Sequence, residues 1–190
     1  MISDKASYKY YRERDLKAHA LDKLSIYNYF WMDCIRFQCR LRKIEYLNNV
    51  RRKNIFCRIY QVYLEILNHR LAVRLGFSIP KNVFGPGLCL VHYGTIVVSP
   101  QAVIGENCRI HPSTSIGYFN GAPTIGNNVY IGPGAKLFGQ ITIGDNVTIG
   151  ANAVVNRDVP NNVTVGGIPA KIISGKSSLE NDVFPEGLIK

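Results

Sequence analysis

Two periods divide the chain. Over residues 1–77 apolar residues recur at spacings of three and four: Tyr27, Phe30, Cys34, Phe37 and Leu41 in one run, Ile55, Ile59, Val62 and Ile66 in another. Such stripes predict amphipathic helices whose apolar faces lie in a core or against a neighbouring helix. Neither glycine nor proline occurs before Gly76, where the helical pattern is expected to stop. From Val98 onward the spacing is six, through Ile104, Ile110, Ile116, Ile125, Ile131, Leu137, Ile143, Ile149 and Val155, with one longer step between Ile116 and Ile125. A period of six is a multiple of the strand repeat and not of the helical one, so it predicts short strands. Glycine follows the aliphatic at Gly105, Gly117, Gly126, Gly132, Gly144 and Gly150, and small or apolar residues often stand four positions on, as Ala102, Ala135, Val147 and Ala153 do. Three such strands close a triangular coil, and stacked coils bury a continuous ladder of aliphatics. The organisation read from the pattern is a helical domain over 1–77, a β-solenoid over 78–173 and a tail over 174–190.

Charge adds an asymmetry. The net charge is +10, and residues 1–77 hold 16 of the 23 Lys and Arg against 7 of the 13 Asp and Glu. A basic half suits an anionic glycan or peripheral contact with a membrane surface, with Arg51–Lys53 ("RRK") as its densest run; no nucleic-acid partner is expected. The 46% hydrophobic content excludes a disordered chain. Five cysteines with no C-x-x-C pair point to a reducing compartment. The first residues, "MISDKASYKYYRERDLK", lack the apolar run of a secretory signal, and "IYNYFWMDCIRF" is too short to span a bilayer, so a cytoplasmic protein is expected.

The candidate chemistry begins at "LCLVHYGTIVV", residues 88–98. Counting back six from Val98 puts His92 in a slot that elsewhere holds an aliphatic. A polar ring pointing inward is costly without a partner, so this coil is expected to be open there or the ring to face a cleft. His111 follows about one coil later. Two stacked histidines raise the question of a metal, but such sites need a third imidazole, and His19 and His69 lie in the helical part. No metal is expected; His111 reads as a turn residue, and His19 and His69 as surface or packing residues.

"FGPGLCLVHYGTIVV" and "IGNNVYIGPGAKLFGQITIGDNVTIGANAVVNRDVPNNVTVGGIPAKII" resemble the hexapeptide-repeat acyltransferases, and most nearly the serine acetyltransferases, over roughly residues 77–173. The resemblance implies a left-handed parallel β-helix behind an N-terminal α-helical segment. It implies acetyl-CoA as co-substrate and direct transfer to an alcohol, with His92 as general base and no acyl-enzyme. An imidazole titrating near pH 6.5 can take a hydroxyl proton and return it to the leaving thiolate, and backbone N–H groups at the coil turns can stabilise the oxyanion. By the same resemblance, backbone at Gly117, Pro133 and Ala151 and the side chain of Lys171 hold acetyl-CoA. A homotrimer with sites between chains is implied, and a hexamer through the helices is a further possibility of the family.

The chain departs from the serine enzymes at several matched positions. Ser78 replaces the aspartate that orients the histidine, Val91 the aspartate before it, and Gly121 and Ala122 an Arg-His pair that holds the substrate. A zwitterion needs an anion for its ammonium and a cation for its carboxylate. With both missing, Tyr93, Tyr118, Phe119 and Asn120 suit a neutral polyol. The expected acceptor is therefore a sugar hydroxyl of a surface polysaccharide or its precursor, as in the shortened O-acetyltransferases of capsule or lipopolysaccharide synthesis; serine, in cysteine biosynthesis, is the alternative. The tail ends in Lys190 and not in the isoleucine that docks a sulfhydrylase, so that complex is not expected. A metal-dependent lyase and a scaffold without chemistry are the readings from other classes.

Overall fold

The computed structural model describes residues 1–51 and 54–189; Arg52 and Lys53 of the basic run, and Lys190, lie outside the described residues. Four helices come first. Helix α1 (Lys5–Ala18) starts in a capping box, with Ser7 N–H donating to Asp4 Oδ1 at 2.7 Å and Asp4 N–H to Ser7 Oγ at 3.0 Å. The first apolar stripe is not one helix. It is split into α2 (Ile26–Trp31) and α3 (Asp33–Val50) at Met32, whose ψ of 88° ends one hydrogen-bonded ladder. Asp33 then supplies the negative charge that favours a new helix start, and it pairs with Arg36. Helix α4 (Ile55–Leu75) is capped by Asn54 and stops at Gly76, whose φ of +79° is open to glycine at no steric cost.

The α4 stripe faces away from the core, contrary to expectation. Ile55, Ile59, Val62 and Ile66 are exposed, while Leu64, Leu71 and Leu75 face inward. Ile26, Tyr27, Phe30 and Trp31 of α2 are likewise exposed. A helix with two apolar faces carries the same periodicity on both, so the pattern alone did not choose between them. Among the described residues, no helix is long and apolar enough to cross a membrane.

The solenoid is built from β1 (Phe77–Ser78), β2 (Cys89–Leu90), β3 (Ile96–Val98), β4 (Val103–Ile104), β5 (Arg109–Ile110), β6 (Thr114–Gly117), β7 (Thr124–Ile125), β8 (Tyr130–Ile131), β9 (Lys136–Phe138), β10 (Thr142–Ile143), β11 (Thr148–Ile149), β12 (Val154–Val155), β13 (Thr164–Gly166) and β14 (Lys171–Ser174). They form three parallel sheets, one per side of the triangle: β1-β3-β6-β9-β12, β4-β7-β10 and β2-β5-β8-β11-β13, with β14 added antiparallel to the last. Each side stacks one inward ladder. Phe84, Ile104, Ile125, Ile143 and Val159 share a register, as do Leu90, Ile110, Ile131, Ile149 and Val165, and Val98, Ile116, Leu137 and Val155. All of these side chains are buried. Coils lie close enough that a Cβ on Gly105 would come within 2.7 Å of the Gly126 carbonyl oxygen, which explains glycine after the aliphatic there.

One edge of the prism carries an asparagine ladder. Asn107, Asn128, Asn146 and Asn162 all have φ between 56° and 59°. Each amide nitrogen donates to the next side-chain oxygen at 2.7–2.8 Å. Asparagine tolerates the left-handed turn and its amide pairs along the stack, so the corner uses both properties.

A buried ion cluster seals helices to coils. Arg42, 1% exposed, donates to Asp15 at 2.8 Å and Glu45 at 3.0 Å, and to the carbonyls of Phe84 and Gly85. Burial alone would lower the Arg42 pKa, but Asp15 and Glu45 outweigh it and raise it. Asp15 also accepts from the N–H groups of Gly87 and Leu88. The tail then runs back along the solenoid. Ser178 N–H donates to Asn146 O at 2.9 Å, Asn181 reaches Thr148 and Thr164, and Leu188 is buried with Ala18 and Cys89.

Candidate active site

The histidine that opened the question is not in an inward slot. Leu90 occupies that slot, in register with Ile110; on the next side of the coil Ile96 and Val98 are both buried, and Val98 is the one in register with Ile116. This side of the first coil thus takes eight residues, from Leu90 to Val98, where the same side of later coils takes six, and the two extra ones push the corner outward. His92 and Tyr93 stand exposed on that corner, so the ring costs nothing in desolvation. The corner is held by Gly94, whose N–H donates to Leu75 O at 2.9 Å and whose φ is +133°.

Register places other candidates along the same edge. Two residues after the ladder Leu90, Ile110, Ile131 and Ile149 come His92, Pro112, Pro133 and Ala151, one per coil. Gly167 follows at the same offset from Val165, and Lys171, exposed on β14, pairs with Gly166 beside it. With coils about 4.8 Å apart, the column from His92 to Ala151 is about 14 Å long. His92, Pro133, Ala151 and Lys171 therefore share one edge, histidine at one end and lysine near the other.

The remaining candidates do not join them. Gly117 ends β6, and Tyr118, Phe119 and Asn120 form the exposed turn after it, with Phe119 N–H donating to Gly121 O at 2.8 Å. That turn lies across the β1-β3-β6 side from the His92 edge, about 20 Å along the backbone at six residues of strand rise. Of the four aromatic and amide candidates, only Tyr93 stands beside His92 within a single chain. Ser78 pairs with Val97 on β3 and opens onto a cleft of about 570 Å³ lined also by Glu65, His69 and Lys81.

Three histidines have contacts that residue spacing did not indicate. His19, half-buried at the end of α1, hydrogen-bonds Gln38 at 2.8 Å, and burial holds its pKa below the ordinary value against the opposing effect of Gln38. His69 lines the Ser78 cleft. His111 is more than a turn residue: its ring lies against Tyr130 with centroids 5.0 Å apart, and its Nε2 is shielded from solvent without a hydrogen-bond partner. Among the described residues no group of three His, Cys, Asp or Glu side chains is arranged to hold a metal ion. The five cysteines are unpaired, and burial raises the thiol pKa of Cys34 and Cys89 to about 11.

Comparison with known proteins bears on this geometry. Residues 122–157 match the family of bacterial transferase hexapeptide proteins (six repeats). The chain is 39% identical over 114 residues to the serine acetyltransferase of Synechococcus elongatus, covering 57% of this chain and 47% of that protein. It spans about half the length of the curated relatives it matches. Among solved structures, the serine acetyltransferase of Neisseria gonorrhoeae in complex with serine superposes with a TM-score of 0.69 at 27% identity, over 90% of this chain and 70% of that one. That of Brucella abortus strain S19 in complex with coenzyme A gives 0.70 at 26% identity, over 91% and 70%. The solenoid is thus the left-handed β-helix of those enzymes, with a helical segment before it.

Proposed function

We propose that this chain, a homologue of the serine acetyltransferases through its solenoid, is an acetyl-CoA-dependent O-acetyltransferase with His92 as general base. The observation that carries the reading is the single edge shared by His92, Pro133, Ala151 and Lys171. An extended pantetheine arm laid on that edge would bring its thioester to His92 and its phosphates toward Lys171. Backbone of the corner turns would hold the amides of the arm, and the lysine would meet negative charge. His92 would remove the acceptor hydroxyl proton as oxygen attacks the thioester carbonyl, then return it to the thiolate. Its exposure leaves it accessible to both substrates.

A second chain belongs to this reading. The Gly117–Asn120 turn is too far from His92 in one chain to share its substrate. A threefold neighbour would bring that turn against the His92 edge, so the proposed unit is a homotrimer with sites between chains.

The acceptor we propose is L-serine, after the names of the relatives and the serine-bound structure. Nothing in the comparisons supports a glycan, so the carbohydrate expected from the sequence takes second place. It keeps one supporting observation: Tyr118 and Phe119 are exposed in the turn just before Gly121 and Ala122, which stand where the serine enzymes hold an Arg-His pair. Release of free thiol from acetyl-CoA, measured with L-serine and with a panel of simple sugars and surface glycans, decides between them. The expected outcome is turnover with L-serine, reduced at least about 100-fold in His92→Ala. Turnover of sugars alone would reverse the acceptor, and undiminished thiol release by His92→Ala would remove the base.

A further inference from the structure

A base that holds a proton through a reaction needs its other ring nitrogen bonded, and here the family's carboxylate is absent. Ser78 stands in its place, lines a different cleft and cannot carry charge. Among the described residues the His92 side chain makes no hydrogen bond. One coil on, however, stands a second imidazole. Val91 N–H donates to Ile110 O and His111 N–H to Ile131 O, so His111 shares a rung with Val91 and His92 shares one with Pro112. One coil step and one residue step put the two histidine Cα atoms about 6 Å apart. The corners touch, since a Cβ on Gly94 would lie 2.9 Å from Pro112 Cβ. The His111 ring is fixed against Tyr130, and its Nε2 is one of four buried side-chain polar atoms without a hydrogen-bond partner among the described residues. Such an atom is costly unless something comes to bond it.

We propose that His111 is a positioning residue for His92: its Nε2 accepts the hydrogen bond of the His92 ring N–H once His92 has taken the acceptor's proton. It replaces the missing carboxylate by a neutral lone pair. The inference rests on His92 being the base. No proton moves to His111; the one taken from the alcohol stays on His92 and leaves with the thiolate. Burial, then Arg109, then His92 itself lower the His111 pKa below the ordinary histidine value, so the ring is neutral near pH 7 and keeps its lone pair. The groups around it are Arg109 on β5, Tyr130 on β8 and His92; Lys136 on β9 is tied to the carbonyls of Ser113 and Gly134.

Two variants of the full-length protein separate this role from a structural one. His111→Phe keeps a ring against Tyr130 and removes the acceptor, whereas His111→Gln returns an acceptor near the Nε2 position. Nitrogen-15 NMR of the protonated His92 ring is expected to show a hydrogen-bonded ring N–H that is lost in His111→Phe and returns in His111→Gln. In His111→Phe kcat should fall roughly tenfold at unchanged acceptor KM, and His111→Gln should restore it. A His92 ring N–H signal unchanged in His111→Phe, beside an inactive His92→Ala, overturns the role of His111 alone. A fully active His92→Ala overturns that role and the proposed function together.

Discussion

His19 joins three parts of the molecule: it ends α1, hydrogen-bonds Gln38 on α3 and lies 3.8 Å from the Cys89 sulfur on β2. Burial lowers its pKa, so folding favours the neutral ring. The unfolded chain binds the proton more readily, and the stabilisation from this site is complete above the unfolded value near 6.5 and is lost as pH falls below it. The melting temperature should therefore drop between pH 7.5 and pH 5, and by less in His19→Gln, as differential scanning calorimetry would measure. His111 acts in the same direction, so a residual slope is expected in that variant. Neither effect could be read from spacing. The sequence places both histidines in the right element, but a depressed pKa depends on which residues close over the ring.

At the scale of elements, the corners do more than reverse the chain. Asn128 takes a left-handed φ of 56°, accepts from Asn107 and donates to Asn146. Alanine there meets the strained φ and breaks the ladder, while glycine breaks only the ladder. Urea unfolding should show Asn128→Ala less stable than Asn128→Gly by roughly 1 kcal/mol. Equal losses would mean that the amide ladder, and not the backbone conformation, dominates. The ladder was legible in principle, because asparagine recurs once per coil at 107, 128, 146 and 162. The eight-residue side of the first coil, from Leu90 to Val98, was harder to see. Both Ile96 and Val98 are buried, so a six-residue count back from Val98 lands on His92 while the true inward residue is Leu90. The α4 stripe failed for a related reason: apolar residues on two faces give one periodicity, and only packing against α3 selects the inward face.

At the scale of the whole molecule, the prism separates groups that the resemblance assigns to one site. His92 and Tyr118–Asn120 lie on different edges, and a threefold assembly would reunite them. A mixing experiment tests this. Chains carrying His92→Ala and chains with the Tyr118–Asn120 turn replaced by glycines should each be inactive alone. Co-refolded in equal amounts, they should regain about a quarter of wild-type thiol release, since each site needs one intact contribution from each of two neighbours. No recovery, with trimers present by light scattering, would place the whole site within one chain. The buried Arg42 cluster and the returning tail fix the helices to the coils in each chain, so the recovered sites would not depend on rearranging that junction.

The six-residue period, the length of one side of the coil, was enough to determine the solenoid and its inward aliphatics, and the spacing of three and four was enough for the helical segment before it. The column from His92 toward Lys171 also follows from counting residues, once Leu90 is known to be the anchor. Tertiary structure alone decided that anchor, the outward turn of the His92 corner, the exposed face of α4 and the seat of the His111 ring against Tyr130. The reason is physical: periodicity reports that a position is apolar, whereas the direction a side chain takes depends on what the neighbouring coil and helix leave open to it.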